Sequence, residues 1–294
     1  MLTEEKPLTK KRSRFSRFTR TRANRRESDS ESSNSVLMKF TGTEHVETPV
    51  VTLPDDSTLL DEYFSMNEYR SLLFPDNNAT MMERTITDDL FTTWCNEAKK
   101  GGASGPKVKA NINKLGGRQT LELHDTNTEK VEIMKITAVL NMPSLEVRSE
   151  SIIGVKLLLS ETDQSRDSFP ELQFTLLDSK LLLEGSKTVT WIFNQLMKYR
   201  DSTSSFTRVT AETTGENEIV FTTDARLGIN IRIPSAVLKI LPSVNVEKFE
   251  EQGSLSVQKL LEKDLEPALV SFRNKFETFV NEKDNARLPH VLRP

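Results

Sequence analysis

Cys95 is the only cysteine in the chain, and His45, His124 and His290 are the only histidines that could serve it as a base. A thiol nucleophile needs such a base within hydrogen-bond reach, and none of the three histidines shares a recognisable motif with Cys95. The plain reading of Cys95 is a small buried apolar side chain. A lone cysteine forbids an intrachain disulfide, which fits a reducing compartment such as cytosol, nucleus or stroma. One thiol and three scattered imidazoles also lack the paired spacing that holds zinc. Gly101, Gly102 and Gly105 form a glycine-rich stretch, yet no Lys-Ser or Lys-Thr pair follows them to complete a phosphate loop. The acidic pairs Asp55-Asp56, Asp88-Asp89 and Glu250-Glu251 fall in expected turns or exposed ends, where carboxylates are solvated rather than poised as acid and base. For an enzyme reading, the ionisable residues on expected strands are Glu146, Arg148, Arg226 and Arg232. The pattern assigns no catalytic residue, metal or cofactor.

The charge is divided along the chain. Residues 1–26 hold ten Lys or Arg against Glu4 and Glu5, a net of +8, so the total of −3 leaves −11 on the remainder. From Lys6 to Arg26 there is no acid, and Phe15 and Phe18 interleave with the arginines. An Arg- and Ser-rich, acid-free arm has the composition of an organelle transit segment. The stretch Lys10–Arg26 would equally suit RNA, with guanidinium groups neutralising phosphates and stacking on bases, or a solvated tail that does neither. Residues 27–35 are a Ser-rich acidic linker, so residues 1–35 are expected to be disordered, with a single folded domain over 36–284 and a tail at 285–294. No apolar run approaches the ~20 residues that a membrane-spanning helix needs.

The elements follow from periodicity. Lys39–Thr52 reads as an opening strand, and Leu59, Leu60, Tyr63 and Phe64 recur at helical spacing behind Pro54-Asp55-Asp56-Ser57. Asn67 would cap a second short helix carrying Tyr69, Leu72 and Leu73, ended by Pro75. Met82–Thr87 and Leu90–Asn96 read as a hairpin turning at Asp88-Asp89, followed by a loop over Lys99–Pro106. Val131–Leu140, Glu146–Ser160, Leu172–Leu183 and Thr188–Met197 are strand candidates, the last of which also fits a helix face. Gly154 marks a bulge or a close approach. Thr207–Thr213 and Glu218–Asp224 flank a Gly215-Glu216-Asn217 turn, and Arg226–Ile233 is a further strand. The clearest element comes last. Val257, Leu261, Leu265, Leu269, Phe272 and Phe276 recur every three or four residues, with Gly253-Ser254 as the start and Pro267 as an internal kink.

This order predicts an α+β chain in which a curved antiparallel sheet wraps a long C-terminal helix, a helix-grip, START-like fold with two short helices after the first strand. A cavity between sheet and helix would be lined by Ile229, Ile231, Leu265, Leu269, Phe272 and Phe276.

Four stretches carry a family resemblance: Leu59-Leu60-Asp61-Glu62-Tyr63 with Tyr69, Leu183-Glu184-Gly185-Ser186, Leu227–Pro234 and Leu255–Phe279. Over Pro49 to Phe279 the chain resembles the uncharacterised DUF-nineteen-ninety-seven family of cyanobacteria and plastids, which is related to START-like proteins. It departs from that family in Phe276-Glu277-Thr278-Phe279, where an acidic-Tyr pair is usual. The resemblance implies a plastid protein. Three functions follow as expectations: a non-enzymatic module for an apolar small molecule such as a lipid, pigment or quinone; a plastid assembly factor whose −11 body meets a basic protein partner; and an enzyme of unknown reaction.

Overall fold

Side chains that alternate between two buried faces build most of the molecule. The computed structural model describes residues 35–53, 58–74, 79–82, 84–115, 118–142, 145–160, 169–185, 200–215, 217–234 and 245–287. The basic arm, residues 54–57, residues 188–197 and His290 lie outside the described residues. In chain order the first elements are β1 (Ser35–Glu47), β2 (Val51–Thr52), α1 (Thr58–Ser65) and α2 (Asn67–Arg70), which tightens into a 3-10 turn at Ser71–Leu73. Then come β3 (Ala79–Met81), β4 (Thr85–Thr87), α3 (Asp88–Lys100), β5 (Val108–Leu115) and β6 (Arg118–Leu123). The long strands follow: β7 (Glu129–Met142), β8 (Leu145–Leu158), β9 (Glu171–Gly185), β10 (Arg200–Gly215) and β11 (Glu218–Pro234). A 42-residue helix, α4 (Val246–Arg287), closes the sequence.

Strands β7 to β11 form an antiparallel meander, and β1 returns to pair with β11 from Ser35 opposite Pro234 to Glu47 opposite Thr222. With β3 on β7 and β2 on β11 the sheet has eight strands. A second sheet has the order β4-β6-β5. The architecture is therefore α+β: a large antiparallel sheet, a long C-terminal helix against it, and two short helices after the first strand. This is the helix-grip arrangement that the element order predicts.

The inner face belongs to α4 and α1. Leu59, Leu60, Tyr63 and Phe64 put one side of α1 into the core, each at most 2% exposed. They meet Leu269, Phe272, Phe276 and Phe279 of α4 over Leu157, Leu172, Val209 and Phe221 of the sheet. Tyr63 stands 4.8 Å from the Phe272 ring and 5.1 Å from Phe276, both edge-on, the geometry that aromatic quadrupoles favour. Its hydroxyl donates to the Phe272 carbonyl oxygen, so the buried oxygen is not left unpaired.

Beside β1 the first turns of α4 do a different job. The N–H groups of Lys39, Thr41 and Thr43 donate to Glu250 Oε1, Ser254 Oγ and Gln258 Oε1 at 2.8, 3.2 and 3.0 Å. Residues four apart on a helix thus satisfy residues two apart on an edge strand that would otherwise offer free donors.

Five expectations are corrected. The stretch expected as a hairpin, Met82–Thr87 with Leu90–Asn96, is instead the short strand β4 followed by helix α3. Leu90, Phe91, Trp94 and Ala98 recur at helical spacing, while Asp88 and Asp89 sit in the first turn and Lys99 and Lys100 in the last, as the helix dipole prefers. Helix α4 begins at Val246 rather than at Gly253-Ser254. Gly253 lies inside it because a Cβ there would collide with the Phe40 ring. Met66, not Asn67, holds the cap position of α2. Glu218–Asp224 and Arg226–Ile233 are one strand, continuous through buried Ala225. The opening strand is broken after Glu47, where Thr48 exchanges hydrogen bonds with the Phe221 backbone. The hairpin of β5 and β6 has no counterpart in the sequence reading.

Candidate functional site

Strands β8 and β9 pair over nearly their whole length, and so do β10 and β11. Between these two pairs the contact is short: β9 meets β10 only from Glu171 opposite Thr210 to Thr175 opposite Phe206. Strand β9 also carries an irregularity at this point, because Ile153 faces Leu176 while Ile152 faces Asp178. An extra residue in one strand bends it and increases its twist. The sheet therefore forks just beyond Thr175 and Phe206.

A cavity of about 210 Å³ lies at the fork, under α4. Leu265, Ala268 and Leu269 of α4 form its roof, with Leu73 and Phe74 beside them. Ile153, Phe174, Leu176 and Val209 form the apolar floor. Four hydroxyl residues share that floor: Ser151, Ser205, Thr207 and Thr223. The Thr223 hydroxyl is committed to the Arg208 carbonyl oxygen at 2.9 Å. Among the described residues, the Ser151, Ser205 and Thr207 hydroxyls meet no protein partner. No ionisable side chain among the described residues lines the cavity. These described walls are apolar and offer hydrogen-bonding hydroxyls along one side.

The six expected cavity residues divide into three groups. Leu265 and Leu269 line the cavity. Phe272 and Phe276 are fully buried one and two turns further along α4, in the aromatic cluster with Tyr63. Ile229 and Ile231 do face α4, but their partners across β1, Phe40 and Met38, place them opposite its first turns, where Val257 fills the space. Sequence periodicity found the correct faces; the position along the helix depended on the fork. The hydroxyl wall was not anticipated, because Ser202–Thr207 carries little apolar signal and only its last residue was assigned to a strand.

The other candidates have structural work or stand elsewhere. Arg226 donates to the Lys100 and Glu97 carbonyl oxygens, and Arg208 to that of Gly101, so both cap the C-terminal end of α3. Arg148 is half-buried on strand positions that alternate with the cavity-lining Ser151 and Ile153, and Arg232 is exposed on β11. The Glu146 side chain lies outside the described residues. Cys95 is half-buried beside Gly105; burial pushes its thiol up, against the pull of the Lys156 charge. His45 stands between Asp224 at 2.7 Å and Glu47 at 3.1 Å. Burial pulls its ring pKa down, but the hydrogen bonds and charges of the two carboxylates outweigh this and hold it above the usual value.

The outer face holds a polar cluster of its own. Lys156, 1% exposed, donates to Ser104 Oγ at 2.8 Å and to the Ser104 and Gly105 carbonyl oxygens, with Glu129 at 3.5 Å. Glu129 also accepts from the Lys107 N–H. The pair pins the loop after α3 to the sheet.

No helix among the described residues is long and apolar enough to cross a membrane. No family model matches the chain, and no curated protein does. A solved structure of a norcoclaurine synthase point mutant from Thalictrum flavum, in complex with a transition-state analogue, is similar to it at 12% identity, with a TM-score of 0.25. That match covers 76% of this chain and 98% of the other.

Proposed function

We propose that this chain is a non-enzymatic module that binds an apolar small molecule in the cavity between the forked sheet and α4. The observation that carries the reading is the lining itself: among the described residues it consists of aliphatic and aromatic walls and a few hydroxyls, with no ionisable side chain. Native mass spectrometry of the full chain, purified gently from its own type of cell, tests it. A stoichiometric bound mass that disappears in Ala268→Phe, which fills the cavity from the roof, is the expected result. A wild-type chain that carries no ligand, and takes up none from an apolar extract, would sink the reading.

The reading includes a plastid destination, supported by the acid-free, Arg- and Ser-rich stretch Lys6–Arg26. A fluorescent fusion of residues 1–35 that stays in the cytosol of leaf cells would remove that part alone. A second reading, an assembly factor acting through its surface, draws on Phe249, Leu255 and Leu260, which are 48%, 54% and 49% exposed along the first half of α4. Crosslinking from Leu255 and Leu260 to a protein partner would favour it over the cavity.

A further inference from the structure

We infer that the cavity selects a small, uncharged, ring-sized molecule with one hydrogen-bonding group, which it seats on the Ser205 and Thr207 hydroxyls. The inference rests on the ligand-binding reading and narrows it, from apolar molecules in general to one size and one polarity.

Size comes first. An apolar cavity of roughly 150 Å³ takes benzene, so 210 Å³ takes a ring system of on the order of ten non-hydrogen atoms. On the same scale a sixteen-carbon acyl chain needs about twice that volume, and an extended pigment more. The roof cannot simply rise to admit one, because Phe272 and Phe276 anchor α4 immediately beyond Leu269 in the aromatic cluster. On the other side of the roof, the β1 N–H groups hold Glu250, Ser254 and Gln258.

Charge comes second. A carboxylate or ammonium group entering this space would lose water and find no counter-ion among the described lining side chains. Neutral molecules are therefore favoured strongly over their ionised isosteres.

Polarity comes third. Ser205 and Thr207 are two positions apart on β10 and face the same way, about 7 Å apart. The Thr223 hydroxyl is already bonded to the backbone, whereas those of Ser205 and Thr207 meet no partner among the described residues. Half-buried hydroxyls on an otherwise apolar wall reward a ligand group that can give or take one hydrogen bond. Ser205 is also the first β10 residue past the last β9–β10 pair, and Leu176 is its counterpart on β9. The polar end of the ligand would thus sit at the fork and its apolar body under Leu265, Ala268 and Leu269.

The test uses four probes on the full chain, with affinity read by calorimetry or ligand-observed NMR: 1-naphthol, naphthalene, 1-naphthoate and palmitate. The expected result is that naphthol binds about fivefold tighter than naphthalene, the worth of one net hydrogen bond. Naphthoate should bind more than tenfold more weakly than naphthol, and palmitate should not displace naphthol. The double variant Ser205→Ala/Thr207→Val should erase the naphthol preference over naphthalene, with native circular dichroism and an unchanged urea midpoint showing that the variant is folded. A naphthol preference that survives in the double variant overturns the inference, as does displacement by palmitate. If naphthol and naphthalene bind equally, and Ala268→Phe abolishes both, the cavity reading stands and the hydroxyl selection falls. If none of the four binds a chain with native circular dichroism, both readings fall together.

Discussion

The two faces of the central sheet are made by the same strands and are finished in opposite ways. On β8, Ile153, Val155 and Leu157 look toward α4, while Gly154 and Lys156 look toward α3 and the loop behind it. The outer face is closed to the last methyl group: a Cβ on Gly154 would come within 2.6 Å of the Trp94 ring. Its buried ammonium, on Lys156, is matched by four acceptors, the carboxylate of buried Glu129 among them. The inner face is just as tightly packed around Tyr63 and Phe272, yet it leaves 210 Å³ open at the fork. A void that persists beside such a core is a property of the topology, because only the short β9–β10 contact lets the sheet part there. Close packing is the ordinary condition of a protein interior, so the open inner face is where function is to be sought.

Four measurements would break or sharpen this contrast. The largest effect is expected from Lys156→Ala, which leaves Glu129 charged and unmatched beneath the α3 loop. Urea unfolding should show a loss of about 4 kcal/mol, as for one partner removed from a buried pair. Lys156→Met should retain part of this, and a cost below about 0.5 kcal/mol in both variants would mean the pair is not buried as described. Next, Gly154→Ala adds one methyl group to the closed face and should cost about 2 kcal/mol by overpacking against a rigid indole. The mirror experiment on the open face should have the opposite sign. Ala268→Leu fills cavity volume from a helix position and should raise stability by about 0.5–1 kcal/mol, while cutting ligand affinity. Equal signs for these two substitutions would erase the distinction between the faces.

The smallest effect concerns His45, which lies on the sheet surface away from both centres. Its pKa is raised in the folded chain, so its stabilising contribution is fully present below about pH 6.5, the unfolded value. That contribution is lost as pH rises through the higher folded value. The difference in urea midpoint between wild type and His45→Asn should therefore be larger at pH 5.5 than at pH 8. The ring is half-exposed, so solvent screening keeps the difference small. An NMR titration placing the His45 pKa below 6.5 would contradict the sign.

How much of this was legible depended on whether the signal was local. Helix α4 announced itself because Leu265, Leu269, Phe272 and Phe276 repeat every three or four residues, and Gly154 announced a close approach because only glycine needs no room. Helix α3 did not, since Asp88-Asp89 is as good a turn as it is a helix start. The surface that α3 buries, around Gly154 and Leu177, lies far along the chain. Lys156 looked like an interruption in the apolar run Val155–Leu159; its acceptors come from Ser104, Gly105 and Glu129, which no window around residue 156 contains. The cavity floor was hidden for a third reason. Ser205 and Thr207 are hydroxyl residues on an inward face, and binary patterning assigns such positions to solvent.

The ladder between β1 and the first turns of α4 has a consequence at the other end of the helix. Four residues of helix advance about 6.0 Å and two residues of strand about 6.8 Å, so rungs at 250, 254 and 258 mesh with 39, 41 and 43 like teeth on a rack. A rack indexes position as well as holding it. Sliding α4 by one turn would strand an acceptor at one end of the ladder and a donor at the other, and turning it would disengage all three teeth at once. Which side chains stand above the fork is thus set two turns upstream, by backbone N–H groups of an edge strand that never touches the cavity.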